Sequence, residues 1–196
     1  MKSKKKKRLL WWGAAASLGI LLLAAALAAW NNPYWFVNDR DYAPEIAAAA
    51  KKHGLDPELV RALVYQESRF RAGKRGKKGE IGLMQVLPKG AAAEWARVNK
   101  RSVPSNRALF DVETNLDIGC WYLARAKRRW SNYDHGLELA LAEYNAGPTK
   151  AKEWAPPDRR GEVIPRIKIA GTKKYVTDIM GRYRSYAKAR AEARNK

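Results

Sequence analysis

Residues 9–30 run for 22 positions without one charged side chain, and residues 4–8 just before them are all Lys or Arg. A helix crosses a bilayer with about 20 apolar residues, so the run is long enough to span one. The basic cluster before it is of the kind held on the cytoplasmic side. Trp11, Trp12 and Trp30 lie near the ends of the run, where interfacial aromatics belong. The pattern predicts a basic cytoplasmic N-terminus at 1–8 and a single-pass transmembrane signal anchor at 9–30. Everything after it would then lie outside the cytoplasmic membrane, on the periplasmic or extracellular side. A cleaved signal peptide is the competing reading, because Ala26-Leu27-Ala28 has the small-x-small form of a cleavage site. The length of the run and its tryptophans favour the anchor.

In a chain of 196 residues this leaves room for one domain of ordinary size. The net charge is +20; Lys2, Lys4, Lys5, Lys6, Lys7 and Arg8 supply six of it, and the rest of the chain still carries +14. Such a domain suits a polyanionic partner, either nucleic acid or a cell wall bearing carboxylates and phosphates. A position outside the cytoplasmic membrane removes nucleic acid. Cys120 is the only cysteine, which excludes an intramolecular disulfide and a thiolate metal cluster. His53 and His135 lack ligand-like spacing, so neither metal nor cofactor is expected. Eight Trp and nine Tyr are more than a small core needs, which leaves some for a sugar-binding cleft.

Residues 31–41 read as a linker. A helix is predicted at 44–53, closed by Gly54. Asp56-Pro57-Glu58 opens a second: Asp as N-cap, Pro at the first helical position, Glu in the first turn. It runs to about Ser68. Residues 71–80 form a basic loop with Gly73, Gly76 and Gly79, and 81–87 a short apolar stretch. Further helices are predicted at 88–98, 114–130, 136–145 and 175–192, with a sharp stop at Asn145-Ala146-Gly147-Pro148 and a long connection after Pro156-Pro157. No stretch alternates convincingly, so the class is mainly α.

On the second helix Val60, Leu63, Val64 and Glu67 fall at spacings of three and four and share one face. Glu67 thus extends an apolar stripe near the helix C-terminus. Desolvation and the negative end of the helix dipole both disfavour its ionised form. A carboxyl that keeps its proton near neutral pH is what general-acid catalysis requires. On this helix alone, a Glu at the rim of the core paired with Arg69 fits as well.

The flanking blocks decide between the two. Ala62-Leu63-Val64-Tyr65-Gln66-Glu67-Ser68-Arg69-Phe70 is followed by Gly79-Glu80-Ile81-Gly82-Leu83-Met84-Gln85-Val86-Leu87-Pro88. Then come Leu109-Phe110-Asp111, with Asn115-Leu116-Asp117-Ile118-Gly119-Cys120-Trp121-Tyr122-Leu123, and Ala140-Leu141-Ala142-Glu143-Tyr144-Asn145-Ala146-Gly147. In this order the blocks resemble the soluble lytic transglycosylase family. The resemblance implies a goose-type lysozyme-like catalytic domain, here at 42–185, before a basic tail at 186–196. It makes Glu67 the single catalytic glutamate. It makes Gln85 a residue facing the bound sugar and Tyr144 the tyrosine whose hydroxyl sits beside the glutamate. Asn145, Met84 and Ser68 join the substrate-binding set, Ser68 as support for the helix end. Three departures stand out. Gly76 stands where the family often has serine, three residues before Gly79. Glu143 replaces a usual alanine. Ile164-Pro165 and Thr172-Lys173-Lys174-Tyr175-Val176 match the family's closing motif only faintly.

The resemblance further implies a reaction on peptidoglycan glycan strands. Glu67 protonates the leaving oxygen between N-acetylmuramic acid and N-acetylglucosamine, then takes the proton of the muramic C6 hydroxyl as that oxygen attacks C1. The product is a 1,6-anhydro end made without water. Two alternatives share the cleft: a lysozyme-type hydrolase with Glu143 as second carboxylate, and a catalytically idle glycan-binding module. Retention of Glu67, Gln85 and Tyr144 together argues against the idle module.

Overall fold

Helix α1, Ala43–His53, turns its short apolar face inward through Ile46, Ala49 and Ala50 and ends where Gly54 takes a left-handed φ of 66°. That conformation suits glycine and lets its N–H return to the last turn. In α2, Pro57–Ser68, Asp56 caps the start by accepting from the N–H of Glu58 (2.8 Å). This is a computed structural model, which describes residues 40–195 together with Gly19, Ile20, Leu23 and Asn38. The anchor expected at 9–30 lies almost wholly outside the described residues. Among those described, no helix is long and apolar enough to cross a membrane.

After α2 the chain is irregular until a wide turn at Pro88–Ala92, which leads into α3, Ala93–Val98. A short turn at Ala108–Phe110 precedes α4, Val112–Arg129, then α5, Gly136–Ala146, and α6, Pro148–Trp154. A turn at Ile164–Arg166 comes before the long α7, Ala170–Arg194. No strand forms among the described residues; isolated bridges join Arg75 to Ile81 and Ile81 to Val86. The architecture is mainly helical, as the periodicity requires.

Helix α5 is the hub. Leu139, Ala140, Leu141, Ala142 and Glu143 are consecutive and all buried. A helix buried on every side must sit inside the domain, and α5 packs on α4, α6 and α7. Helices α1 and α2 complete the core, α1 against α4 and α2 against α7. His53 belongs to this frame: its Nε2 lies 2.6 Å from Asp117 of α4, which also meets Lys52 at 2.7 Å. His135 pairs locally with Glu138.

Three predicted boundaries move. The 114–130 helix starts at Val112, because Asp111 is the N-cap and accepts from the N–H of Thr114 (2.9 Å). The stop at Gly147 is also a start: Pro148 takes the first position of α6, where its missing N–H costs nothing. The last helix begins at Ala170 and runs to Arg194, through residues expected as a tail. Those residues hold α7 on α2. The Arg61 guanidinium lies 3.9 Å from the Tyr186 ring centre, and Arg190 forks onto both oxygens of Asp56 at 3.0 and 2.9 Å.

Candidate active site

The stripe on α2 is as the sequence implies: Val60, Leu63 and Val64 are fully buried, and Glu67 continues their face to the last turn. Ser68 is also buried, and its hydroxyl donates to the carbonyl of Val64 (3.1 Å). It supports the helix end, the role the resemblance gives it, and its side chain is buried. The helix then leaves through two consecutive non-glycine residues with positive φ, Arg69 at 53° and Phe70 at 60°. Each such residue costs about 1–2 kcal/mol. The buried Phe70 ring, edge-on to Tyr65, holds the turn in place.

The orphan carbonyls at the end of α2 are met by cations. Arg71 Nε donates to the carbonyl of Ser68 (2.8 Å), and the Lys74 ammonium to that of Glu67. Two positive groups therefore offset the negative helix end. Desolvation remains the main reason that Glu67 is an unusual acid. Burial raises its pKa from 4.5 to about 7; the charge of Glu80 adds to this, while a hydrogen bond from Tyr175 and the charge of Lys74 oppose it.

The Gly82–Gln85 turn is pinned from α4. Buried Asn115 accepts the N–H of Met84 (2.8 Å) and donates to the carbonyls of Ile81 and Leu109 (both 2.8 Å). Gly82, at φ 80°, is required twice over: by its conformation, and because a Cβ would meet Asn115 Nδ2 at 2.3 Å. Gln85 has φ 48°, and its amide donates to the carbonyls of Gly82 (2.9 Å) and Lys74 (3.3 Å). It is half-buried beside the loop that carries Lys74. The Met84 side chain is fully buried, packed on Gly119 and in contact with the Cys120 thiol. It fills core, a correction to its expected contact with substrate.

Two tyrosines close the site. Tyr175 of α7 donates to Glu67 Oε1 at 2.5 Å. Tyr144 of α5 donates to the carbonyl of Met84 at 2.9 Å. The hydroxyl bonded to the glutamate is thus that of Tyr175, while Tyr144 stays close enough for the Glu67 charge to act on it. Burial first, and then that charge, hold both phenols well above their ordinary range. Each is a hydrogen-bond donor at neutral pH, not a base. Asn145 is exposed, and its Oδ1 accepts from Thr172 (2.7 Å), tying the end of α5 to α7.

Sequence reasoning quoted Tyr175 and Asn115 within motif blocks and Lys74 among the loop cations, but gave none of them these roles in the site. A signal for Tyr175 was present: Thr172, Tyr175, Val176 and Ile179 keep helical spacing and are the buried set of α7. Glu143 is settled by its partners. Its carboxylate is buried, accepts the Trp130 indole N–H (2.8 Å) and lies 3.3 Å from Arg129 Nε. It is a tie between α4 and α5 and no second acid beside Glu67. Among the described residues no group of three His, Cys, Asp or Glu is placed to hold a metal.

Known proteins resemble this chain in sequence and in fold. A relative 31% identical over 138 residues, covering 68% of this chain and 62% of its own, is membrane-bound lytic murein transglycosylase E of Buchnera aphidicola. Another, 38% identical over 88 residues, is membrane-bound lytic murein transglycosylase C of Haemophilus influenzae; it covers 44% of this chain and 25% of its own. An inactive Glu-to-Gln variant of lytic transglycosylase Slt from Pseudomonas aeruginosa superposes with a TM-score of 0.67 at 25% identity, over 76% of this chain and 24% of that one. The 70 kDa soluble lytic transglycosylase of Escherichia coli shares the fold with a TM-score of 0.66 at 24% identity, over 76% of this chain and 25% of that one. The chain therefore spans less than two thirds of each of these proteins. The transglycosylase SLT domain model matches residues 44–163, which takes in α2, the Gly82–Gln85 turn and Tyr144. With that match over more than half its length, the chain belongs to the transglycosylase SLT domain family.

Proposed function

We propose that the protein is a peptidoglycan lytic transglycosylase, cleaving the β-1,4 bond between N-acetylmuramic acid and N-acetylglucosamine without water. The observation that carries this is a half-buried Glu67, with a pKa raised to about 7, bonded to the Tyr175 phenol. Such a carboxyl serves both halves of the reaction. As acid it gives its proton to the glycosidic oxygen while the bond from muramic C1 breaks. The 2-acetamido oxygen stabilises the positive charge at C1. As base, Glu67 takes the C6 hydroxyl proton while that oxygen bonds to C1, so no water is consumed. A pKa near the working pH favours a group that must be acid and then base. Gln85, Tyr144 and Asn145 are assigned to substrate positioning, the first two through the turn they hold. The names of the relatives and the Glu-to-Gln change in the inactive Slt structure support this reading. Mass spectrometry of muropeptides released from purified sacculi tests it: anhydro-muramic ends are expected, and release of no glycan would end it.

We assign residues 9–30 to a membrane anchor ahead of a catalytic domain outside the membrane, in keeping with the membrane-bound relatives. Cell fractionation with N-terminal sequencing checks this. A soluble product beginning near Ala29 would mean a cleaved signal peptide.

Tyr175→Phe should lower kcat by about 10- to 100-fold, because the carboxyl loses the donor that orients it. Tyr175 holds the Glu67 pKa down, so its loss should also move the alkaline limb of the kcat/KM profile to higher pH. A profile displaced to lower pH would contradict the assignment.

Of the loop cations, Lys77 and Lys78 are exposed, whereas Lys74 is engaged with Glu67 and Arg75 lies over the Phe110 ring. Changing Lys77 and Lys78 to Gln should reduce activity on intact sacculi at low salt and leave a short soluble muropeptide unaffected. Attraction over distance fades as the Debye length falls from about 10 Å at 0.1 M to about 3 Å at 1 M salt. Equal loss on both substrates would mean that these lysines shape the cleft.

A further inference from the structure

Gly76 stands where the family resemblance leads one to expect serine, and the space it leaves is filled. A Cβ at residue 76 would lie 2.2 Å from Glu80 Oε2 and 2.9 Å from Gln85 Oε1. The seat is built by backbone: the Gly76 N–H donates to the carbonyl of Glu80 (2.8 Å), and the Lys78 N–H donates to Glu80 Oε2 (2.9 Å). Beside it, the Gln85 amide donates to the carbonyl of Lys74, and the Lys74 ammonium donates to the carbonyl of Glu67. The Glu80 carboxylate thus sits at one end of a row whose other end is Glu67. The charges of both acids act on Lys74.

We propose that Glu80, seated in the space Gly76 leaves open, is a positioning residue of the active site that offsets Lys74 and fixes the charge Glu67 faces. The inference rests on the reading of Glu67 as the catalytic acid. The groups acting on Glu67 are Tyr175 from α7 and Lys74 and Glu80 from the loop; Tyr144 from α5 in turn feels the Glu67 charge. Arg69 and Arg71 act on Lys74 from the end of α2. In this set Glu80 is the negative group, besides Glu67 itself, whose charge acts on Lys74. Without it the surroundings of Glu67 become more positive, its ionised form is favoured, and the proton needed for bond cleavage is lost at lower pH.

The test reads Glu67 directly. In the full chain, solubilised in detergent and labelled with carboxyl-carbon-13 glutamate, the Glu67 signal is identified by its loss in Glu67→Gln. Its midpoint should fall by about 0.5 pH unit in Glu80→Gln. It should fall by a similar amount in Gly76→Ala, whose methyl evicts the Glu80 carboxylate without removing its charge from the chain. The double variant should shift no further than either single one, since both changes act through one seat. On sacculi, the alkaline limb of the kcat/KM profile should move the same way. An unmoved Glu67 midpoint in Glu80→Gln would overturn the proposal and make Glu80 a solvated surface carboxylate. A shift in Glu80→Gln with none in Gly76→Ala would overturn the seat. Because the titration needs no turnover, a wild type without activity would sink the lyase reading and leave this result legible.

Discussion

Glu67→Gln is expected to lower glycan cleavage by about 10³-fold or more, since one side chain supplies both the acid and the base. Gln keeps the shape and can accept from the Tyr175 phenol, so the fold should survive. The same substitution should make the protein more stable at alkaline pH. In the folded chain Glu67 holds its proton up to about pH 7, whereas its ordinary value is 4.5. For a pKa raised on folding, the contribution to stability is fully present below the unfolded value. It is lost as pH rises through the folded one. A gap of about 2.5 units corresponds to about 2–3 kcal/mol after allowance for partial exposure. The wild type bears that cost at pH 8.5, and Gln, which cannot ionise, does not. Denaturant titrations at pH 4 and pH 8.5 check it: near-equal stabilities at the first, and a variant more stable by about 2–3 kcal/mol at the second. A variant less stable at pH 8.5 would mean that Glu67 is an ordinary structural carboxylate.

Asn115→Ala should be the most damaging change outside the reacting groups. Asn115 is 1% exposed and makes three hydrogen bonds to main chain, at Met84, Ile81 and Leu109. Alanine would strand one N–H and two carbonyls in the interior, each costing about 1–3 kcal/mol. A loss of about 3–5 kcal/mol is expected, which for a domain of this size lowers Tm by roughly 10 °C or more. The Gly82–Gln85 turn would loosen with it, so activity should fall even at temperatures where the variant is folded. Thermal unfolding followed by circular dichroism, with kcat measured well below Tm, separates the two effects. A Tm unchanged within a degree or two would show that the turn is held by something else.

The contrast between these two residues marks what can be read from sequence. The place of Glu67 was legible because its evidence is local: a capped helix start at Asp56-Pro57, an apolar stripe at helical spacing, and a carboxylate continuing it; its catalytic assignment came from the flanking blocks and the family they resemble. Asn115 stands inside a quoted block, yet its role depends on carbonyls brought to it by a turn more than thirty positions earlier. Tyr175 is 108 positions from its partner Glu67. The packing of α7 on α2 joins them, and a sequence does not display that packing. Met84 and Ser68 are buried, and membership of a motif says that a residue matters but not which way its side chain points. Lys74 was hidden among the cations of its loop, because charge alone does not distinguish a lysine reaching a helix end from one in water. Glu143 looked like a spare carboxylate until the Trp130 indole gave it a structural partner.

The central claim is that bond cleavage at Glu67 uses the sugar's own hydroxyl and no water. Digestion of purified sacculi in oxygen-18 water, followed by mass spectrometry of the new muramic ends, tests it most directly. The account predicts anhydro ends, lighter by one water than reducing ends and free of label, produced by the wild type and absent with Glu67→Gln. Reducing ends carrying oxygen-18 would contradict it and make the protein a hydrolase.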